Sequence, residues 1–441
     1  MQFRDTRSVA LTAASSRSAL QYDAVVERIA GYHADPFTLI DRGLAADPTL
    51  VSLHCARAAI GVMAAERPAE ALIRQSLAAA KDLPANERER RHLEAAETWL
   101  AGDFHRAADL YGAIALDHPR DLLALQVAHV GDFYLGRQRL LRDRIAQILP
   151  AWGEQTPGYG YVLGMLAFGL EETNRFEAAE TAGLRALERD ARDVWAVHAV
   201  THCFEMTGRA DAGAQFLEGR RADWAVDNAF AFHNHWHLAL FELERENLQR
   251  VFELFDRAIW PKPSVVALEM VDAVALLFRL YLRGVDLGGR AASVADAWSD
   301  PAHHGYYAFN DAHAVMAFVA GGRLPDARRL VRALELGAGE DGSNAQMTRD
   351  VGLPLARALI AFGEARYDLV VETLLPLRLV AHQFGGSNAQ RDILDQTLAE
   401  AAIRAGRPVL ARALAAERRL LRPRSTWASY LERAAATQRV A

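Results

Sequence analysis

Apolar residues recur along the chain mainly at steps of three and four, the period of an α-helix buried on one face. Alternation at every second position, the mark of a half-buried strand, is scarce. The helical stretches break at AGD (101–103), LGR (135–137), ETNR (172–175), MTGR (206–209), AGGR (320–323) and RAGR (404–407). A Gly or Asn just past a helix takes up the left-handed conformation that ends it, and here a second helical pattern begins almost at once. Antiparallel helical hairpins are therefore predicted, and no sheet.

The hairpins recur with a period near 34 residues, the spacing of tetratricopeptide repeats. The clearest unit covers 158–193. Gly164 and Ala167 in its first helix, and Ala178 and Ala179 in its second, are small enough for a close helix approach. Asp193 is placed to cap the helix that follows. A similar unit covers 91–121, and looser ones cover 36–83, 121–150, 193–223, 229–259 and 310–337. GSNAQ occurs at 342–346 and again at 386–390, each time before a helical pair, so longer units are expected near the C-terminal end. Segments 284–309 and 338–347, rich in Gly, Ser, Asp and His, read as ordered loops. The expected fold is all-α, a tetratricopeptide-like solenoid of helical hairpins wound as a right-handed superhelix. It spans 1–441 as one domain, with an N-terminal segment (1–35), tetratricopeptide-like repeats (36–259) and longer hairpins (260–441).

Composition narrows the chemistry. Hydrophobic residues make up 51% of 441, enough for a large core. A net charge of −6 argues against nucleic-acid binding, which needs a basic stripe. Lys81 and Lys262 are the only lysines, which nearly excludes Schiff-base chemistry. Two isolated cysteines, Cys55 and Cys203, build neither a disulfide framework nor a thiolate zinc site. The first twenty residues lack a continuous apolar stretch, and no run nears 18 apolar residues. No membrane partner and a cytoplasmic location are expected.

One polar patch stands out. DVWAVHAVTHCFEMT (193–207) reads as one helix with His198 and His202 on one face and Glu205 continuing the stripe. AFHNHWHLALFELE (231–244) carries His233 and His237, each 35 residues after its counterpart. Adjacent first helices lie about 8–10 Å apart and line the concave wall of such a solenoid. The four imidazoles should therefore share one hollow. His129 falls 69 residues before His198, and Asp311 and His313 open a later helix. If the solenoid curls, these could face the same cavity. A divalent metal is the cofactor this set allows, with His198, His202 and His237 as candidate ligands, although no HExxH motif is present. Without metal the same residues could move protons. His235 is expected to point elsewhere, and Trp195, Trp224 and Trp236 read chiefly as packing, with Trp236 also a candidate ligand contact. Cys203 adjoins His202 in sequence but diverges from it around the helix, which argues against a Cys–His dyad. In GGSNAQRDIL (385–394), Ser387 or Asn388 can cap a helix whose first turn carries Gln390, Arg391 and Asp392. Those three serve either as cap and ion pair or as an anion site.

Taken together, WAVHAVTHCFEMTGR, FHNHWHLALFELE, FNDAHAVMAF and GGSNAQRD resemble the tetratricopeptide repeat protein 38 family, over most of the chain from about 35 to 423. The resemblance implies fold rather than activity. It also implies that His198, His202, His233, Trp236, His237, Asp311, His313, Gln390, Arg391 and Asp392 belong to the family's motifs.

Two functions fit. In the first, the concave groove binds a small polar ligand or a protein partner. Inner helices bearing His, Trp and acids favour the small ligand over a peptide tail. In the second, the protein is a hydrolase or lyase acting on a small amide-like metabolite. There His198, His202, His233 and His237 bind metal or move protons, with His313 beside them. Glu205 or Asp311 is the base, and Arg391 holds a substrate carboxylate. Fold alone does not decide between them.

Overall fold

The computed structural model describes residues 2–437. It is built from antiparallel helical hairpins of the tetratricopeptide kind. First helices of successive hairpins begin at Glu87, Leu122, Tyr159, Val194, Ala231 and Ala267, steps of 35 to 37 residues. All six breaks seen in the sequence end a helix through a left-handed residue: Gly102, Gly136, Asn174, Gly208, Gly322 and Gly406. The helices Val194–Met206 and Ala231–Glu244 fall where the apolar pattern places them.

The chain divides into two compact units. One comprises 1–200 and 220–231, the other 201–219 and 232–441. The division falls inside the helix Val194–Met206, between Val200 and Thr201.

The first unit begins with a feature the sequence pattern does not announce, a short antiparallel pair of strands, Gln2–Arg4 with Ala10–Thr12. Helices Ser16–Ala30 through Phe176–Arg189 follow. Arg88, buried, joins four segments of this unit. It donates to Asp121 Oδ2 (2.6 Å), to Ser52 Oγ (3.1 Å) and to the Ala10 carbonyl, and its Nη1 lies 3.2 Å from His92 Nε2. In the hairpin 158–193, Ala167 and Ala179 are fully buried as expected, but Ala178 faces solvent. Gly183 makes a closer approach to the next hairpin's first helix, where a Cβ would lie 2.5 Å from Val200 Cγ2, against 3.5 Å from Ala167 Cβ within its own hairpin.

In the second unit the chain closes on itself. Helix Ala267–Leu282 packs against both Ala308–Ala320 and Asn388–Arg404. Arg279 donates to the Ala389 carbonyl (2.9 Å), and Thr426 donates through its backbone N–H to Glu244 (3.0 Å) and through its hydroxyl to the Glu244 carbonyl (2.9 Å). The expected loop 284–309 is partly helical, with Arg290–Ala297 and a turn at Pro301–His303; likewise Ser343–Met347 is helical within 338–347. These segments are too short to show a period above their Gly and Asp content. The second GSNAQ copy caps its helix as expected. Ser387 Oγ accepts from the Gln390 N–H, and Gln390 Oε1 accepts from the Ser387 N–H, a reciprocal capping box.

Among the described residues no helix is long and apolar enough to cross a membrane.

Candidate functional site

The second unit holds the site. Helices Val194–Met206 and Ala231–Glu244 are first helices of successive hairpins, so equivalent turns stand side by side. His202 and His237 meet with ring centres 4.6 Å apart, and His233 lies 4.8 Å from His237. Each of the three offers a ring nitrogen, and these nitrogens lie within 4.8 Å of one another. All three side chains are buried. The 35-residue register read from the sequence thus unites this trio.

Two carboxylates orient two of the rings. His237 Nδ1 is 2.7 Å from Glu205 Oε2, and His233 Nδ1 is 2.7 Å from Asp272 Oδ2. Burial pushes the Glu205 carboxyl above its usual range, against the pull of Arg422, His202 and Arg279. Burial likewise raises Asp272, against His233. Burial, with His202, His233 and Arg279 nearby, holds the His237 imidazole well below its ordinary value, so that ring is neutral at pH 7. Trp236 stacks on His233 (5.3 Å, 16°), and the Arg279 guanidinium carbon sits 5.3 Å from its ring centre. Fully buried, Trp236 acts as a rigid wall of the trio rather than a surface for a ligand.

Glu205 also faces a cleft of about 680 Å³ that lies wholly within the second unit. Seven arginines and four carboxylates line it, an excess of positive charge in a protein whose net charge is −6. Asp392 is one of these carboxylates, bound by Arg418 (2.6 Å) and Arg422 (2.9 Å). Burial opposes its ionisation, but those two guanidinium groups hold it well below the usual carboxylate range. Glu244 is treated alike: burial is outweighed by Arg418, Arg283 and Arg422. Arg279 is buried with no ion-pair partner of that quality among the described residues, and burial lowers it to about 10 despite Asp392 and Glu205. At neutral pH it remains a cation.

His198 shares a helix with His202, one turn earlier, but belongs to the first unit, where it stacks on Phe168 (5.3 Å) and meets Phe230 edge-on. His129 is also in the first unit, against Phe168 and Trp195, beside a gap of only about 10 Å³. Burial lowers it to about 3, so it is a neutral core ring. Asp311 accepts from the Gly305 N–H (2.8 Å) and shapes that turn. His313 is held by its Nδ1 on the Phe309 carbonyl (2.8 Å) and is lowered by burial to about 4. Gln390 forms the capping box, and Arg391 ties the carbonyls of Gly385 and Gly386 and the side chain of Asn388. Neither Gln390 nor Arg391 lines the cleft. Of the expected anion site only Asp392 reaches it, and Arg391 does not take the role of carboxylate clamp.

Asp272, Arg279, Arg418 and Arg422 were not legible as site residues. Arg279 had a signal, a single cation inside the apolar run AVALLFRLYL. Arg418 and Arg422 lie in ERRLLRP, which marks only the end of the family resemblance.

No family model matches the chain. Among solved structures, the chain is similar to one in the crystal structure of the APC/C hetero-tetramer Cut9–Hcn1, at 12% identity and a TM-score of 0.43. The match covers 82% of this chain and 59% of that one, so the chain spans less than two thirds of that neighbour's length.

Proposed function

We propose that the second unit binds a small polar molecule bearing a carboxylate or phosphate in the arginine-lined cleft. One observation carries this reading: seven arginines line the cleft against four carboxylates, with a fifth, Glu242, pairing Arg245 from outside it, and one of the four, Glu205, bridges to the histidine trio. Planar guanidinium groups suit carboxylate and phosphate oxygens. Membership of the tetratricopeptide repeat protein 38 family and a protein partner on the helical repeats are compatible with this reading and rest on the sequence motifs alone.

Calorimetric titration with succinate, inorganic phosphate and neutral acetamide tests it. One of the anions is expected to bind saturably and acetamide is not. Arg424, exposed at the cleft, can be reversed in charge with little effect on folding. Arg424→Glu should weaken the anion at least tenfold. Equal binding of all three probes, or of none, sinks the reading.

A specific observation favours a second reading, a hydrolase or lyase. Glu205 both lines the cleft and orients His237, so a bound amide would meet a carboxylate–imidazole pair able to relay a proton. N-acylated amino acids carry the amide and the anion together and are the substrates to assay. Hydrolysis by the wild-type protein that Glu205→Gln abolishes would establish it.

A further inference from the structure

We propose that His202, His233 and His237 form a binding site for one divalent transition-metal ion, with Asp272 and Glu205 as its outer carboxylates. The inference goes beyond the anion cleft and does not depend on it.

Three imidazoles from two adjacent helices converge with ring nitrogens within 4.8 Å. Tetrahedral coordination at about 2.1 Å sets ligand nitrogens roughly 3.4 Å apart. Rotation of the His202 and His237 side chains is the movement the ion would require to close that difference. The second observation is independent of the first. His233 and His237 each engage a carboxylate through Nδ1 at 2.7 Å. Metal-binding histidines are oriented in this way, one nitrogen held by a carboxylate and the other coordinating. With both Nδ1 atoms so engaged, coordination runs through Nε2. Trp236, stacked on His233, limits that ring's rotation. A trio of imidazoles without thiolates suits Zn²⁺ among the common ions, and Co²⁺ as its spectroscopic substitute. Cys203 adds no sulfur to the set; among the described residues the metal-competent groups contain only His and Glu.

The structural alternative is a buried polar network that merely ties two repeats together. The two differ in stoichiometry and spectroscopy. Tag-free full-length protein, stripped with a chelator, would be titrated with Co²⁺. The expected result is one equivalent bound with an intense tetrahedral ligand-field band, displaced by Zn²⁺. X-ray absorption of the zinc-loaded wild-type protein should report at least three imidazoles. Asp272→Asn, close in shape and acting as a positioning variant, should weaken the metal about 10–100-fold with an unchanged circular dichroism spectrum. Absence of a saturable band, or fewer than three imidazoles around zinc, overturns the site whatever the variants do. Arg424→Glu should weaken the anion and keep the cobalt band, so failure of the cleft and failure of the metal site read out separately.

Discussion

At the scale of single residues, burial and hydrogen bonding pull carboxylates in opposite directions, and the balance differs from site to site. Asp193 caps the helix Val194–Met206 by accepting from the Ala196 N–H at 3.0 Å, yet burial raises it to about 7. Its folded carboxyl therefore binds a proton more tightly than the unfolded one, near 3.9. The stability it contributes is full below about pH 4 and is lost as pH rises through 7. Asparagine caps as well as aspartate and carries no charge to bury. Asp193→Asn should therefore stabilise the protein, with a gain that grows by roughly 3 kcal/mol between pH 5 and pH 8.5. Denaturant unfolding at both values measures this, and a pH-independent difference would refute the assignment. Asp392 is the reverse case. Arg418 and Arg422 overcome its burial and hold it below the usual range. Its contribution is present above about pH 4 and is lost as pH falls further. Asp392→Asn leaves two buried guanidinium groups short of a counter-charge and should cost about 3 kcal/mol at pH 7. Comparing the two variants at pH 7 and pH 3 should show the Asp392→Asn penalty shrinking in acid.

At the scale of elements, helix ends explain most of what the sequence made readable. All six breaks proved to be helix ends with a left-handed residue, because that conformation is a local demand met by local residues. Two of them separate local cost from tertiary cost. Gly406 has φ +67°, and a Cβ there would meet nothing within 4 Å. Gly208 has φ +70°, but a Cβ there would lie 3.0 Å from Arg422 Cα. Gly406→Ala should cost about 1 kcal/mol, the conformational penalty alone. Gly208→Ala should cost about 1 kcal/mol more and also weaken anion binding, since Arg422 lines the cleft. Equal penalties in thermal or denaturant unfolding would mean that the loop yields freely. The imidazole trio was legible for the same local reason: a 35-residue register on two first helices determines their neighbours. The cleft was not. It forms where Arg279 reaches Ala389, 110 residues away, and Thr426 reaches Glu244, 182 away. No periodicity within a repeat encodes such a return. The strand pair at Gln2–Thr12 was missed because three residues per strand are too few to show alternation.

At the scale of the whole molecule, the division into two units has a consequence that can be measured. Each unit carries its own buried ionic network, centred on Arg88 and Asp121 in the first and on Asp392, Arg418 and Arg422 in the second. Arg88 links the first strand pair, the helix Val51–Ala64 and the helix Leu122–Tyr134 through Ala10, Ser52 and Asp121. Arg88→Leu leaves Asp121 buried without its guanidinium partner, and such a loss costs about 3–5 kcal/mol. Amide exchange should therefore speed up across 87–134. If the units open separately, segments 388–404 and 418–426 should keep wild-type protection, and both Co²⁺ and succinate titrations should be unchanged. The chain, however, passes between units at 200/201, 219/220 and 231/232, and one of these crossings lies within a single helix. That continuity is the route by which damage would spread. Uniform loss of protection in both units would show that the shared helix makes them one cooperative body. In that case the His202 turn should be among the first segments of the second unit to exchange, because it continues the helix whose first turns belong to the damaged unit.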